Sequence, residues 1–284
     1  MKNIVIRAGE ILRIARMKPD VLKGVIAFTL ICLFTAVLPA IAPFNPVEQD
    51  LMSRLNAPSK VHWFGTDNFG RDVFSRVLWG ARISLVIGLG AAAAGLLTGG
   101  ALGIWAGFKG GLVDTIITRL IDVLLSFPGF ILCLLIVAIV GPGVMVLVFA
   151  IGLSLVPKFA RVARSSARAV SKREYIDACR TMGASDMRIM LFHVTPNVFG
   201  ELLVMASLWT ANAILIEASL SFLGLGIRPP TPTLGGMMQE GLNVLHEAPW
   251  LTLLPGVVIF AFVLAINVVS DRIRDAVDPR LADL

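Results

Sequence analysis

The sequence predicts an all-α integral membrane protein with six transmembrane helices, and three observations carry that expectation. Of its 284 residues 56% are hydrophobic and 15% charged, where a soluble domain is about a quarter charged. Apolar stretches of near 20 residues, the length that spans a hydrocarbon core of roughly 30 Å, recur from one end of the chain to the other. The basic residues behind the net charge of +6 sit between those stretches, not in an aromatic-bearing domain, so they report topology and no nucleic-acid partner is expected.

The first span is expected at 23–42, behind a basic cytoplasmic segment at 1–22. It ends in Ala40-Ile41-Ala42, a pattern like a signal-peptidase site. The run is longer than an h-region of about 7–15 residues and Pro43 follows at once, so it should remain as an anchor. The second span is drawn at 83–108. The third, at 112–140, stops where Gly141-Pro142-Gly143 forces a turn. The fourth falls at 144–161, the fifth at 195–215 and the sixth at 250–269, making 23–284 one membrane domain.

Orientation follows from charge. Lys2, Arg7, Arg13, Arg16, Lys18 and Lys23 precede the first span, Lys109 and Arg119 lie by the second turn, and Lys158, Arg161, Arg164, Arg168, Lys172, Arg173, Arg180 and Arg188 fall between spans four and five. Arg272, Arg274 and Arg280 follow the last. Six crossings put all of these on one side and only Arg54, Lys60, Arg71, Arg76, Arg82 and Arg228 on the other, so both termini are expected in the cytoplasm. Two non-cytoplasmic segments remain, 43–80 and 221–249. In the first, Gly65-Thr66-Asp67 and Gly70-Arg71-Asp72 suit tight turns. In the second, Met237, Met238, Gly241, Leu242 and Leu245 share one side of a short helix, which suits either the membrane interface or packing against the rest of the chain.

The cytoplasmic loop, 162–194, is the most informative segment. Ile176, Cys179 and Met182 recur every three residues, an apolar stripe on a short helix that is otherwise charged. Gly183 can stop that helix in a left-handed conformation, and Ser185-Asp186 can cap a second one. Such a basic hairpin either rests on anionic lipid or enters a groove on a cytoplasmic protein.

Other chemistry is thinly represented. No G-x-x-x-x-G-K-[ST] phosphate loop occurs, nor H-E-x-x-H or G-x-S-x-G, so neither an ATP cofactor nor enzymatic activity is expected of this chain. Cys32, Cys133 and Cys179 have no paired spacing, and His62 and His246 stand apart from other ligand types, so no metal is expected. Charges in spans are costly: Arg119 and Asp122, three apart, should neutralise each other, and Glu201 should reach the cytoplasmic surface. Glu217, beside Asn212, Ser219 and Ser221, either lines a pathway mouth or caps a helix break. Ser126 and Asn267 are further candidates for pathway lining.

The segment KREYIDACRTMGASDMRIMLFHVTPN, 172–197, resembles the EAA loop of bacterial ABC importer permeases, with Asp177, Ala178, Cys179, Gly183, Ile189 and Pro196 on the motif positions. Asp for Glu and Cys for the second Ala depart from the motif but keep charge sign and small volume. The stretches WFGTDNFGRDVFSR from Trp63, GARISL from Gly80, EASLSFLGLG from Glu217 and RDAVDPRL from Arg274 are similar to signatures of the dipeptide, oligopeptide and nickel permease family, in its shorter "C" type. That resemblance implies a type I importer fold in the bacterial cytoplasmic membrane. It implies a second homologous permease forming a heterodimer, two ATPase subunits that hold ATP and Mg, and an extracytoplasmic solute-binding protein. Tyr175, Ile176, Asp177, Ala178, Cys179, Met182, Gly183, Ala184, Ile189 and Pro196 would be the ATPase-coupling residues. Short peptides are the expected cargo, with nickel, glutathione or another small solute as alternatives. An ion-coupled secondary transporter is the rival class, and the inverted repeat typical of one is not visible.

Overall fold

The computed structural model describes the backbone of residues 19–277 and the side chains of 26–271. The segment 1–18 and the end of the RDAVDPRL stretch therefore lie outside the described residues, as do the side chains of Lys23, Arg272 and Arg274. The regular structure of the described residues is helical, joined by turns and loops, with one isolated bridge between Thr66 and Asp72. Helix α1 (Pro19–Val37) continues into a 3-10 turn, Leu38–Ile41. There follow α2 (Val73–Lys109), α3 (Gly111–Leu125), α4 (Gly129–Val140) and α5 (Val144–Ser171). After them come the short α6 (Glu174–Thr181) and α7 (Asp186–Ile189), the long α8 (Thr195–Phe222), α9 (Leu234–Leu242) and α10 (Trp250–Val277).

Four helical stretches are long and apolar enough to cross a membrane: Val73–Lys109, Val144–Ser171, Asp186–Phe222 and Trp250–Asp271. The expected third span is broken instead of continuous, because α3 and α4 meet at an angle of 80°. Pro128, which cannot donate to the ladder and disfavours α geometry in Phe127, ends one helix and starts the other. Taken together as one span, the pair would make a fifth crossing by length and composition, and the apolar run Ile26–Ile41 is shorter.

Helix α2 opens where the Asp72 carboxylate accepts a hydrogen bond from the Ser75 backbone N–H at 2.7 Å, satisfying one of the first turn's orphan donors. It ends at Gly110, where φ is +66°. Along α2, Gly95, Gly99, Gly103 and Gly107 recur every four residues and so share one face. A Cβ at any of the last three would collide with the carbonyl oxygens of Val156, Ala160 and Arg164 on α5. The two backbones therefore touch, as small residues allow where helices pack without a hydrophobic drive. Helix α8 closes the triangle, contributing Val198, Leu202, Ala213 and Leu220 to the core shared with Ile87, Leu155 and Phe159.

The bundle has two dissimilar ends. The cap end carries 42–72, the turn before Val144 and the segment 223–249; the loop end carries the turn after Lys109 and the 172–194 hairpin. Helix α9 packs against α8 and α10, with Leu234, Met237 and Gly241 buried. Leu242 and Leu245, expected on that same side, are exposed.

Candidate coupling loop and membrane pathway

The loop-end hairpin is built from local signals and then turned by the core. Gly183 has φ +80°. The Ala184 N–H donates to the Cys179 carbonyl at 3.1 Å and the Gly183 N–H to that of Arg180 at 2.9 Å, the paired bonds of a Schellman stop. Only glycine holds that backbone conformation cheaply.

The expected stripe does not face one way. Ile176 is fully buried and Cys179 half-buried, both against the subunit's own core, while Met182 is 78% exposed. Met182 lies one residue past Thr181, so the helical spacing no longer holds it in line. The outward face of the hairpin carries Tyr175, Asp177, Ala178, Met182 and Met187 instead. Ile189 is buried and Ala184 half-buried, which fastens both arms. Ser185 precedes α7, yet its hydroxyl makes no capping bond; its carbonyl accepts from the Ile189 N–H at 3.0 Å. Asp186 is taken up by Lys109 at 2.6 Å, tying the hairpin to the end of α2.

Pro196 does not end the second arm. Residues Met190–Val194 form a π-helical turn that joins α7 to α8, so Asp186–Phe222 is one uninterrupted helix. Proline has no N–H for the Phe192 carbonyl and its ring crowds that oxygen; the widened turn makes room. Thr195 Oγ1 donates to the Met190 carbonyl at 2.9 Å and Asn197 Nδ2 to that of His193 at 2.6 Å. His193 Nε2 lies 3.9 Å from Cys179 Sγ. A displacement of α6 thus has a helical path into the membrane.

Several polar residues of the spans sit elsewhere than expected. Asp122 approaches Arg161 at 3.8 Å, not Arg119, because the charged neighbour on α5 is nearer than the one on its own helix. Asp114 is held by Arg164. Glu201 accepts from Ser166. Glu217 reaches no surface of the chain: it is 0% exposed and accepts from Ser84 Oγ at 2.6 Å and Ser221 Oγ at 2.8 Å. It joins α2 to α8. Ser126 is exposed and its hydroxyl donates to the Val123 carbonyl, which helps close the end of α3. Asn212 and Asn267 are half-buried.

At the cap end, sequence reading found turns and missed an ion-pair network. Arg71 Nε donates to Asp67 at 2.6 Å and its Nη2 to Glu240 at 2.9 Å. Arg76, 2% exposed, reaches Glu240 and the Pro46 carbonyl. Asp67 also accepts from the Phe69 N–H. Gly65 and Gly70 both adopt positive φ, and Gly70 packs directly on the Asp50 backbone. The Ser53 hydroxyl and the Met52 N–H hold the Asp50 carboxyl below its ordinary range. His62 Nδ1 lies 2.9 Å from Asp72, and no group of three or more metal-type ligands occurs among the described residues. Charges spaced through 67–76 with an acidic residue on the later short helix were the available signal. Beside this network opens a cavity of about 1000 Å³ lined by Pro39, Phe44, Trp79, Arg82, Val144 and Pro232.

Residues 99–283 match the family described as binding-protein-dependent transport system inner membrane component. The chain belongs to that family. The permease is 39% identical over 258 residues to the dipeptide transport system permease protein DppC of Alkalihalophilus pseudofirmus, covering 91% of this chain and 85% of the relative. It is 40% identical to the di/tripeptide transport system permease protein DppC of Pseudomonas aeruginosa, covering 91% and 88%. To the glutathione transport system permease protein GsiD of Pectobacterium atrosepticum it is also 40% identical, covering 88% and 85%. A permease chain from the inward-facing MetNI methionine ABC transporter superposes with a TM-score of 0.57 at 18% identity, covering 72% of this chain and 97% of that one. The fold is therefore that of a type I ABC importer permease, a multi-pass inner-membrane subunit and not an enzyme, with ATP hydrolysis on separate subunits.

Proposed function

We propose that this permease forms half of the membrane pathway of an importer for short peptides, paired with a second homologous permease and driven through α6. The observation that carries the reading is the hairpin itself. Ile176 and Ile189 anchor it to the core, while Tyr175 and Ala178, three apart on α6, and Met182 just past its end stay exposed. A partner that moves α6 moves the start of α8 with it. Closure of two ATPase subunits around ATP and Mg can drive transport only by favouring one orientation of the pathway over the other, and a rigid hairpin continuous with a span supplies that difference. Both termini lie in the cytoplasm, and the solute-binding protein delivers cargo to the cap end.

Peptide cargo is supported by the names of the dipeptide and di/tripeptide relatives. The glutathione relative supports a second reading of the same chemistry, since glutathione is itself a tripeptide with a free C-terminal carboxylate. Co-reconstitution with the second permease, the ATPases and the binding protein decides. ATP-dependent uptake of labelled dialanine, unaffected by excess glutathione, is the expected result. Uptake of glutathione alone assigns the narrower cargo, and uptake of neither removes the peptide reading.

A further inference from the structure

Lys158 lies on α5 one residue after Pro157, deep in a crossing helix. At 1.5 Å per residue it is about 21 Å along α5 from Val144, within a core of roughly 30 Å. A lysine at that depth is expensive unless paired or facing water. No carboxylate of the described residues pairs with it: Glu217 is engaged by Ser84 and Ser221, Glu201 by Ser166, Asp122 by Arg161 and Asp114 by Arg164. What it has is the face of Trp209 on α8, with Nζ 3.8 Å from the ring centroid.

Simple escape to the nearer surface does not explain the residue. Helical side chains lean toward their helix N-terminus, which for α5 is the cap end, so the Lys158 stem points into the span and away from the loop end. Trp209 receives it there, about 21 Å along α8 from Thr195. On α8 the residues Met205, Trp209, Asn212 and Ile216 recur at i, i+4, i+7 and i+11, and all four are half-buried. They form a stripe that the subunit covers only in part, with an amide one turn from the indole.

We propose that Lys158, positioned by Trp209 and flanked by Asn212, is a carboxylate-binding station within the membrane pathway, taking the C-terminal carboxylate of a peptide in transit. A desolvated ammonium on an aromatic face supplies the charge, and the nearby amide can meet the last peptide group. The inference rests on the peptide reading above. A carboxylate borne by the second permease would satisfy the same cation, and the experiment separates the two sources.

The complete transporter is reconstituted with wild-type permease, Lys158→Met or Lys158→Arg, and supplied with binding protein saturated with either dialanine or its C-terminal amide. Uptake is read per ATP hydrolysed, alongside recovery of the permease pair from detergent. Wild type is expected to favour the free acid by about tenfold, the order for one charged hydrogen bond. K158M should lose that preference while keeping ATPase stimulation by the loaded binding protein, and K158R should retain it. A K158M transporter with the wild-type preference, or a wild type with none, overturns the station. Loss of the permease pair in K158M with the preference intact in the surviving transporters also overturns it, assigning Lys158 to a neighbour's carboxylate. A wild type that moves neither compound removes the peptide reading itself.

Discussion

Gly183 shows how a single residue sets the shape of the hairpin that is proposed to couple the permease to its ATPases. Its φ of +80° is a conformation that costs an ordinary L-residue about 1–2 kcal/mol. No atom lies within 4 Å of where its Cβ would stand, so a substitution there acts through backbone strain and not through a clash. Gly183→Val is expected to unwind the Schellman stop and loosen α6 while leaving the membrane core intact. Hydrolysis on the ATPase subunits should continue, and peptide imported per ATP should fall; Gly183→Asn, which tolerates the left-handed region, should retain most coupling. An unchanged ratio in the valine variant would refute the hairpin's role. This stop was legible in the sequence because it depends on one residue and its neighbours. The direction of Ile176 was not, since the spacing of Ile176, Cys179 and Met182 marks an apolar face without saying whether the subunit or a partner covers it. Lys158 was likewise read as a topology charge, because Trp209, 51 positions later, comes beside it only through the packing of α5 on α8.

Among the elements, α2 and α5 form the closest pair, and their contact rests on glycine. A methyl group at Gly103 would overlap the Ala160 carbonyl oxygen and press on the Ala163 side chain. Neither can yield without moving a helix. Gly103→Ala should therefore splay the pair and destabilise the purified permease by about 1–3 kcal/mol, the usual range for overpacking, read as a lowered thermal midpoint in detergent. Gly200→Ala, on α8 with nothing within 4 Å, is the control and should leave the midpoint unchanged or slightly raised. The four-residue glycine repeat from Gly95 to Gly107 was no part of the sequence expectation, which drew only an apolar span there, because small residues at that spacing do not say which helix approaches them. Nor was the 80° break between α3 and α4: the run stays apolar from Phe127 to Val140, and only Pro128 marks where the ladder must fail. The stretches drawn as spans two, four, five and six fall within long apolar helices that extend beyond the expected bounds, and charged residues such as Arg76 and Arg164, which find ion partners within the fold, let the second and fourth run on past the apolar core.

At the level of the whole molecule, the two ends are joined by one rod. Helix α2 starts at the Asp72 cap beside the Arg71, Arg76 and Glu240 network and ends at Lys109, which holds Asp186 of the hairpin. The proposed docking at one end and the proposed ATP-driven movement at the other would therefore act on a common element, provided that the ends face opposite compartments. Charge sets which is which. The loop end carries Lys109, Arg119, Arg161, Arg164, Arg168, Lys172, Arg173, Arg180 and Arg188, and the basic segment 1–18 precedes α1, whose far end reaches the cap at Pro39. Of the cap-end cations, Arg71 and Arg76 are bound up with Asp67 and Glu240. The excess of lysine and arginine then lies at the loop end, which the positive-inside rule assigns to the cytoplasm. In a chain freed of Cys32, Cys133 and Cys179, Ser59→Cys at the cap end should react with a membrane-impermeant maleimide in spheroplasts. Lys172→Cys should react only after the membrane is opened. Both positions are exposed, so burial within the subunit does not account for a difference between them, and labelling in the reverse order would invert the molecule and detach the hairpin from any cytoplasmic ATPase.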